Sequence, residues 1–223
     1  MTAMRPRMAT TMLVAAAAVL GLVLAGCTGS SFRYIRHEST KTYFKVPQAW
    51  RLFNEDEILK AQAAQLTASE RATVKQTQWY IAFDGASAPQ LAHVLDFDVN
   101  NGQPSGLAKV RVLTSDEHAS LSLATLRGEL FQDDPVHAAA AGNGTLDILE
   151  NNEVTRPDGL HGVHLLMNVH RSSGRVFTFN QIALTDKKMH ALYLLALGCE
   201  SSCYQAHRRT IDEVIASWTI KGH

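Results

Sequence analysis

Apolar and polar residues alternate in short stretches along the chain, a pattern typical of β-strands that bury one face. The alternation predicts strands over 42–46, 92–99 and 107–113. An aromatic and β-branched run over 79–83 favours a further strand. The first of these strands stops at Pro47, which cannot donate a hydrogen bond to a sheet.

The second half of the chain is richest in predicted strands. They are separated by short polar turns, and they cover 146–154, 162–170, 175–184 and 190–197. Strands joined by such short turns pair with their neighbours in the chain, so this region is predicted to form an antiparallel meander.

Helical spacing predicts two helices in the first half. Asn54 and Glu57 form an N-terminal capping pattern, and the apolar residues that follow predict a helix over 55–68. A second capping pattern, at 114–117, precedes apolar residues that share a helical face as far as Leu130.

The remaining segments complete the predicted fold. Small residues and glycines over 133–144 indicate a loop, and apolar residues over 211–218 predict an amphipathic C-terminal helix that includes Trp218. Grouped strands with helices beside and after them predict an α+β fold, an antiparallel sheet flanked by helices.

Part of this pattern resembles PsbP-type domains. Residues 42–50 look like their opening strand and Pro-x-x-Trp corner, here Pro47 and Trp50, and 191–218 looks like their closing strand, cysteine pair and helix. The resemblance implies an α/β/α sandwich over residues 41–223 and a non-enzymatic role in binding other molecules. The extra stretch at 54–78 departs from the family, so the binding surfaces of the family do not transfer to this chain.

The N-terminus is predicted to be a signal peptide over residues 1–26. Arg5 and Arg7 precede an uncharged apolar run over 9–23, shorter than the ~20 residues that cross a bilayer. The alternative is an uncleaved single-pass anchor.

Leu24, Ala25, Gly26 and Cys27 resemble the lipobox of bacterial lipoproteins. The resemblance implies cleavage before Cys27, a diacylglycerol on its thiol and a further acyl chain, such as palmitate, on its amine. Several acyl chains anchor a protein firmly, whereas one chain binds a membrane only marginally. The sequence thus predicts an exported protein on the extracytoplasmic face of the cell membrane, with a flexible tether over 27–40.

The other two cysteines, Cys199 and Cys203, are predicted to form a disulfide, because export takes them to an oxidising compartment. A loop this small contributes ~2 kcal/mol in chain-entropy terms. A metal site would need more ligands than the nearby His207 supplies, and a redox site usually has the spacing Cys-x-x-Cys.

Charge excludes nucleic acid as a partner. The formal net charge is zero, and loss of Arg5 and Arg7 with the signal peptide leaves a net charge of about −2, whereas nucleic-acid binding needs a basic face.

No catalytic residue, metal ligand or cofactor site is predicted. Ser87 lies in a string that lacks the final glycine of Gly-x-Ser-x-Gly. His164 and His170 are too far apart along one strand to share a zinc ion, and Asp96 begins a string without the glycine and glutamate of a calcium loop.

The leading functional hypothesis is therefore a membrane-anchored module that docks an envelope partner without catalysing a reaction. The second is a carrier of lipid or another apolar ligand, and the third is a serine hydrolase. The residues predicted to line the carrier groove are Leu59, Ala63, Leu66, Trp79 and Tyr80.

Overall fold

A computed structural model describes residues 32–221 apart from 65, 97, 98, 100, 101, 132 and 143. The predicted signal peptide and lipobox, including Leu24, Ala25, Gly26 and Cys27, lie outside the described residues. Among the residues that the structure describes, no helix is long and apolar enough to cross a membrane.

The strands are β1 Phe32–His37, β2 Thr42–Pro47, β3 Arg51–Phe53, β4 Gln78–Asp84, β5 Ser105–Val112, β6 Leu146–Thr155, β7 His161–His170, β8 Val176–Thr185, β9 Ala191–Glu200 and β10 Thr219–Ile220. The helices are α1 Glu55–Ala61, α2 Ala68–Thr77, α3 Ala92–Leu95, α4 Ser115–Ser120, α5 Leu123–Arg127, α6 Pro135–Ala140 and α7 Ser201–Ala216. A short 3-10 turn, Gly128–Leu130, follows α5.

A large antiparallel sheet with the order β3-β4-β5-β9-β8-β7-β6 forms the centre of the fold. Leu194 and Leu195 are adjacent in β9 and both are fully buried. Since adjacent strand residues point to opposite faces, both faces of the sheet are covered.

Each face of the sheet has its own cover. One face packs against α7 and a small sheet of β1, β2 and β10, and the other packs against α1, α3, α5 and α6. This arrangement confirms the predicted α+β class and the antiparallel sheet between helical layers.

The Pro-x-x-Trp corner directs the chain from the small sheet to the large one. The backbone amide of Trp50 donates to the carbonyl of Pro47 at 3.1 Å, and the indole stacks on Phe83 with ring centroids 5.8 Å apart. A Cβ on Gly85 would lie 2.7 Å from Trp50 Nε1, so glycine allows the indole to pack there. Trp218, predicted as core, is 1% exposed and lies edge-on to Phe44.

The C-terminal helix α7 is joined to the sheet covalently and by packing. A disulfide links Cys199 at the end of β9 to Cys203 in the first turn of α7, as predicted. Ile211 and Val214 are fully buried against the sheet.

The strand predicted over 92–99 is wrong for residues 92–96, whereas 97 and 98 lie outside the described residues. Ala92–Leu95 form α3, in which the Leu95 amide donates to the Leu91 carbonyl and the Asp96 amide to that of Ala92. Val94 is buried in the apolar cluster of Phe53 and Ile58 on one face of the sheet. The strand that pairs with β4 is β5. A short alternation of apolar and polar residues does not distinguish a strand from a helical turn, and here tertiary packing selects the helix.

The helix predicted over 55–68 is two helices, because a second capping pair, Thr67 and Glu70, starts α2 after α1 has ended at Ala61. The helix predicted as far as Leu130 likewise ends at Ser120 and restarts as α5.

Two further segments differ from their predictions. The predicted loop at 133–144 contains α6, where Asp134 caps the first turn and Pro135 occupies the first helical position, as proline often does. The predicted tether at 27–40 includes β1, which pairs with β2, so the described fold already begins at Phe32.

Candidate functional site

The structure does not bring the five predicted carrier residues into one groove. Leu59 is buried, Ala63 is exposed and Leu66 is half-buried. Trp79 and Tyr80 are adjacent in β4 and face opposite sides of the large sheet: Trp79 packs on the side covered by α7, and Tyr80 joins the Phe53 cluster.

The cavity that lies beneath α3 and the 3-10 turn is apolar but small. Its lining includes Leu107, Leu130, Phe179 and Ala196, and its volume is about 30 Å³. A space of this size holds one or two water molecules but not an acyl chain.

Ser87, the serine considered as a nucleophile, is exposed. The loop that carries it is held by the buried carboxylate of Asp84. Asp84 accepts hydrogen bonds from the amides of Ala86 and Gln90, and lies 2.6 Å from His93 Nδ1. The hydroxyl of Ser105 donates to the backbone carbonyl of His93, not to its ring.

Another serine lies near a histidine. Ser39 Oγ is 3.4 Å from His37 Nδ1 and 3.2 Å from Nε2. Nearly equal distances to both ring nitrogens place the oxygen off the lone-pair axis of each, so the histidine is not oriented as a base for this hydroxyl.

A concave surface with converging polar groups lies between α7 and the outer strands, and we call it the α7 groove. Its volume is about 430 Å³. It is lined by Glu150, Asn152, Val154, Arg156, His164, Leu166, Asn180, Ile182, Arg208, Asp212, Ile215 and Ala216.

A β-bulge in β6 supplies one wall of the α7 groove. Ile148 pairs with Met167, and the register shifts so that Glu150 pairs with Leu166. Ile148 packs with the apolar cluster on the opposite face, whereas Glu150 and Asn152 line the groove. The extra residue, Leu149, therefore turns the following side chains toward α7, as bulges do.

A hydrogen-bonded chain crosses the floor of the α7 groove. Asn180, 2% exposed, donates through Nδ2 to the Tyr204 hydroxyl at 3.0 Å and to Asp212 Oδ1 at 3.3 Å. Its Oδ1 lies 2.7 Å from His164 Nε2, so that nitrogen must carry a proton. The other ring nitrogen of His164 faces Glu150 Oε2 at 3.9 Å, beyond hydrogen-bond length.

Charges of both signs surround this floor. Arg208 Nε lies 3.5 Å from Asp212 Oδ2, and Arg156 Nη1 donates to the Trp218 carbonyl at 2.9 Å. Burial lowers the pKa of Arg156 and raises the pKa of Tyr204 to about 12. The groove thus offers a carboxylate, guanidinium groups and an apolar wall, a combination suited to a protein segment instead of a simple anion.

Sequence reasoning placed His164 on a half-exposed sheet face and did not single out Asn180 or Asp212. The available signal was the amide pair Asn180 and Gln181, which interrupts a largely apolar strand. In the part of the chain that the structure describes, no three His, Cys, Asp or Glu residues are placed to hold a metal ion.

Comparison with known proteins identifies similar folds. The chain matches no protein-family model and no curated protein. It is similar to the solution structure of the PsbP protein of the cyanobacterium Synechocystis sp. PCC 6803, with 14% identity, a TM-score of 0.47, and coverage of 89% of this chain and 99% of that one.

Two other solved structures are also similar. The Ran-binding protein Mog1p of Saccharomyces cerevisiae has 6% identity and a TM-score of 0.43 over 86% of this chain and 96% of that one. A Pseudomonas aeruginosa protein of unknown function has 10% identity and a TM-score of 0.40, covering 86% of this chain and 99% of its own.

Proposed function

We propose that this chain is a non-enzymatic binding module of the cell envelope, anchored at the extracytoplasmic membrane face by lipid on Cys27. Its docking surface is the α7 groove, and its partner is an envelope protein. The observation that carries the docking proposal is the convergence of Glu150, His164, Asp212 and Arg208 on an open groove with an ordered floor.

The anchor is supported by the order of charged, apolar and small residues that ends at Cys27. Export is supported by the Cys199–Cys203 disulfide, because such bonds persist in oxidising compartments.

A protein partner is favoured over a lipid by volume and by charge. The apolar cavity beneath α3 is too small for an acyl chain, whereas the α7 groove is open and about 430 Å³ in volume. Arg208 and Asp212, which both line the groove, carry opposite charges, so they can orient a partner surface that carries the complementary pair. The proposal contains no catalytic step, and it assigns the Asp84 carboxylate to holding the loop amides of Ala86 and Gln90.

The test is site-specific photo-crosslinking in intact cells, with the crosslinking residue at position 208 on the groove rim or at position 116 in α4. We expect a discrete adduct with one envelope protein at position 208, no adduct at 116, and loss of the adduct in Cys27→Ala. Equal adducts at both positions, or none at 208, would contradict the proposal.

A further inference from the structure

A second concave surface lies on another part of the large sheet and shares no lining residue with the α7 groove. We call it the Glu55 cleft. It opens between the turn after β1, the start of α1 and the end of α2, and its volume is about 380 Å³. It is lined by His37, Ser39, Thr40, Glu55, Trp79 and Val110, among others.

The cleft has an aromatic and apolar floor. Trp79, Val110 and Tyr193 form a cross-strand row, because Trp79 pairs with Val110 and Val110 with Tyr193. His37 stacks on Trp79 with ring centroids 4.4 Å apart and an angle of 7° between the planes. Val112, beside this row, is 58% exposed, so apolar surface remains open to an incoming ligand.

Glu55, at the start of α1, brings an unsatisfied acceptor to the lining of the cleft. Its Oε1 atom is buried and receives no hydrogen bond. The capping interaction of α1 belongs to Glu57, and the ammonium of Lys75, which also lines the cleft, is bound to Asp56. Burial raises the pKa of the Glu55 carboxyl, and Lys75 acts against that rise. A buried acceptor without a donor is unfavourable, so a ligand that donates to it gains affinity.

We propose that the Glu55 cleft binds a small organic ligand that carries a protonated amine, with an N–H group donating to Glu55 Oε1 and the apolar part lying along Trp79 and Val110. An ionised carboxylate can only accept hydrogen bonds, so it selects a donor. The faces of aromatic rings also attract cations. An anionic ligand cannot donate a hydrogen bond to Glu55 Oε1 and would meet the negative charge of this carboxylate.

The test is an NMR titration of the full chain, labelled with ¹⁵N at tryptophan, with n-butylammonium chloride at constant total chloride. The indole N–H signal of Trp79, assigned with a Trp79→Phe variant, reports on the cleft. We expect it to shift saturably at concentrations up to about 50 mM, a range that suits a ligand of this size. The neutral isostere n-butanol and the anion butyrate should produce no saturable shift.

Two variants isolate the carboxylate. Glu55→Gln should weaken butylammonium binding at least about tenfold, as expected when a charged acceptor becomes neutral. Asp116→Asn removes the same charge from the first turn of α4, outside the cleft, and should leave the affinity unchanged. Because Glu55 Oε1 holds no partner, the Gln substitution breaks no hydrogen bond at that atom.

The proposal is overturned if butylammonium causes no saturable shift, if butanol shifts the signal equally, or if Glu55→Gln binds as tightly as the wild type. The comparison of butylammonium with butanol needs only the wild-type chain, so it decides the matter even if the variant does not fold. None of these results depends on the anchor or on the α7 groove.

Discussion

Replacing Asn180 with leucine should destabilise the fold, mainly because groups beside it lose their hydrogen-bond partner. Leucine has the same branched side-chain skeleton as asparagine and is larger, so the substitution leaves no cavity. The substitution removes the contacts of Asn180 with His164, Tyr204 and Asp212 on the floor of the α7 groove.

The magnitude follows from how well each partner can return to water. Tyr204 is 2% exposed, so its hydroxyl stays buried and unpaired in the variant, which costs about 1–3 kcal/mol of stability. The side chains of His164 and Asp212 are 24% and 49% exposed and can regain water, so together they add about 1 kcal/mol. We expect the free energy of unfolding to fall by about 2–4 kcal/mol.

Urea unfolding followed by tryptophan fluorescence measures this change. An unchanged m-value shows that both proteins expose the same amount of surface on unfolding. The double variant Asn180→Leu, Tyr204→Phe should regain about 1–2 kcal/mol, because the orphaned hydroxyl is then absent. Asn152→Ala, on the rim of the same groove, should stay within about 0.5 kcal/mol of the wild type. A loss below about 1 kcal/mol, or no recovery in the double variant, would refute this reasoning.

Three further predictions concern other parts of the chain. Cys27→Ala should move the protein from the membrane fraction to the soluble fraction or leave its signal peptide uncleaved, as fractionation and an intact mass will show; unchanged membrane partitioning rules out the anchor. Gly162→Ala should lower stability by about 3 kcal/mol or more in thermal unfolding, because its Cβ would lie 2.0 Å from the Ala183 carbonyl oxygen, and a stable variant would contradict the packing. Burial raises the pKa of Tyr204 to about 12, above the unfolded value of about 10, so its contribution to stability is complete below pH ~10 and is lost as pH rises through ~12. Tyr204→Phe should lose less stability than the wild type over that interval, and an identical alkaline profile would count against it.

Much of the fold could be predicted because local signals and tertiary packing agree. The meander from β6 to β9 was readable from apolar runs and polar turns, and the capping residues Asn54 and Thr114 correctly marked the starts of α1 and α4. The strand prediction for 92–99 was wrong because alternation over a few residues does not distinguish a half-buried strand from one helical turn. The burial of Val94 in the cluster that contains Phe53 favours α3 and joins distant parts of the chain.

The α7 groove could not be predicted from the sequence, for a related reason. Its wall depends on the bulge at Leu149, which changes the face to which Glu150 points. Its floor depends on the approach of β8 to α7, which brings Asn180 to Tyr204 and Asp212. A residue's strand can be predicted from its neighbours, but its partners follow from strand register and helix packing.

The docking claim is tested most directly by the affinity of the envelope protein that crosslinks at position 208, measured in purified form. Arg208→Glu should weaken its binding to the full chain about tenfold, equivalent to ~1.4 kcal/mol, because it reverses a charge on the groove rim. Asp116→Lys, a charge reversal in α4 outside the groove lining, should leave the affinity unchanged. Equal affinities for the wild type and Arg208→Glu would contradict docking at the α7 groove.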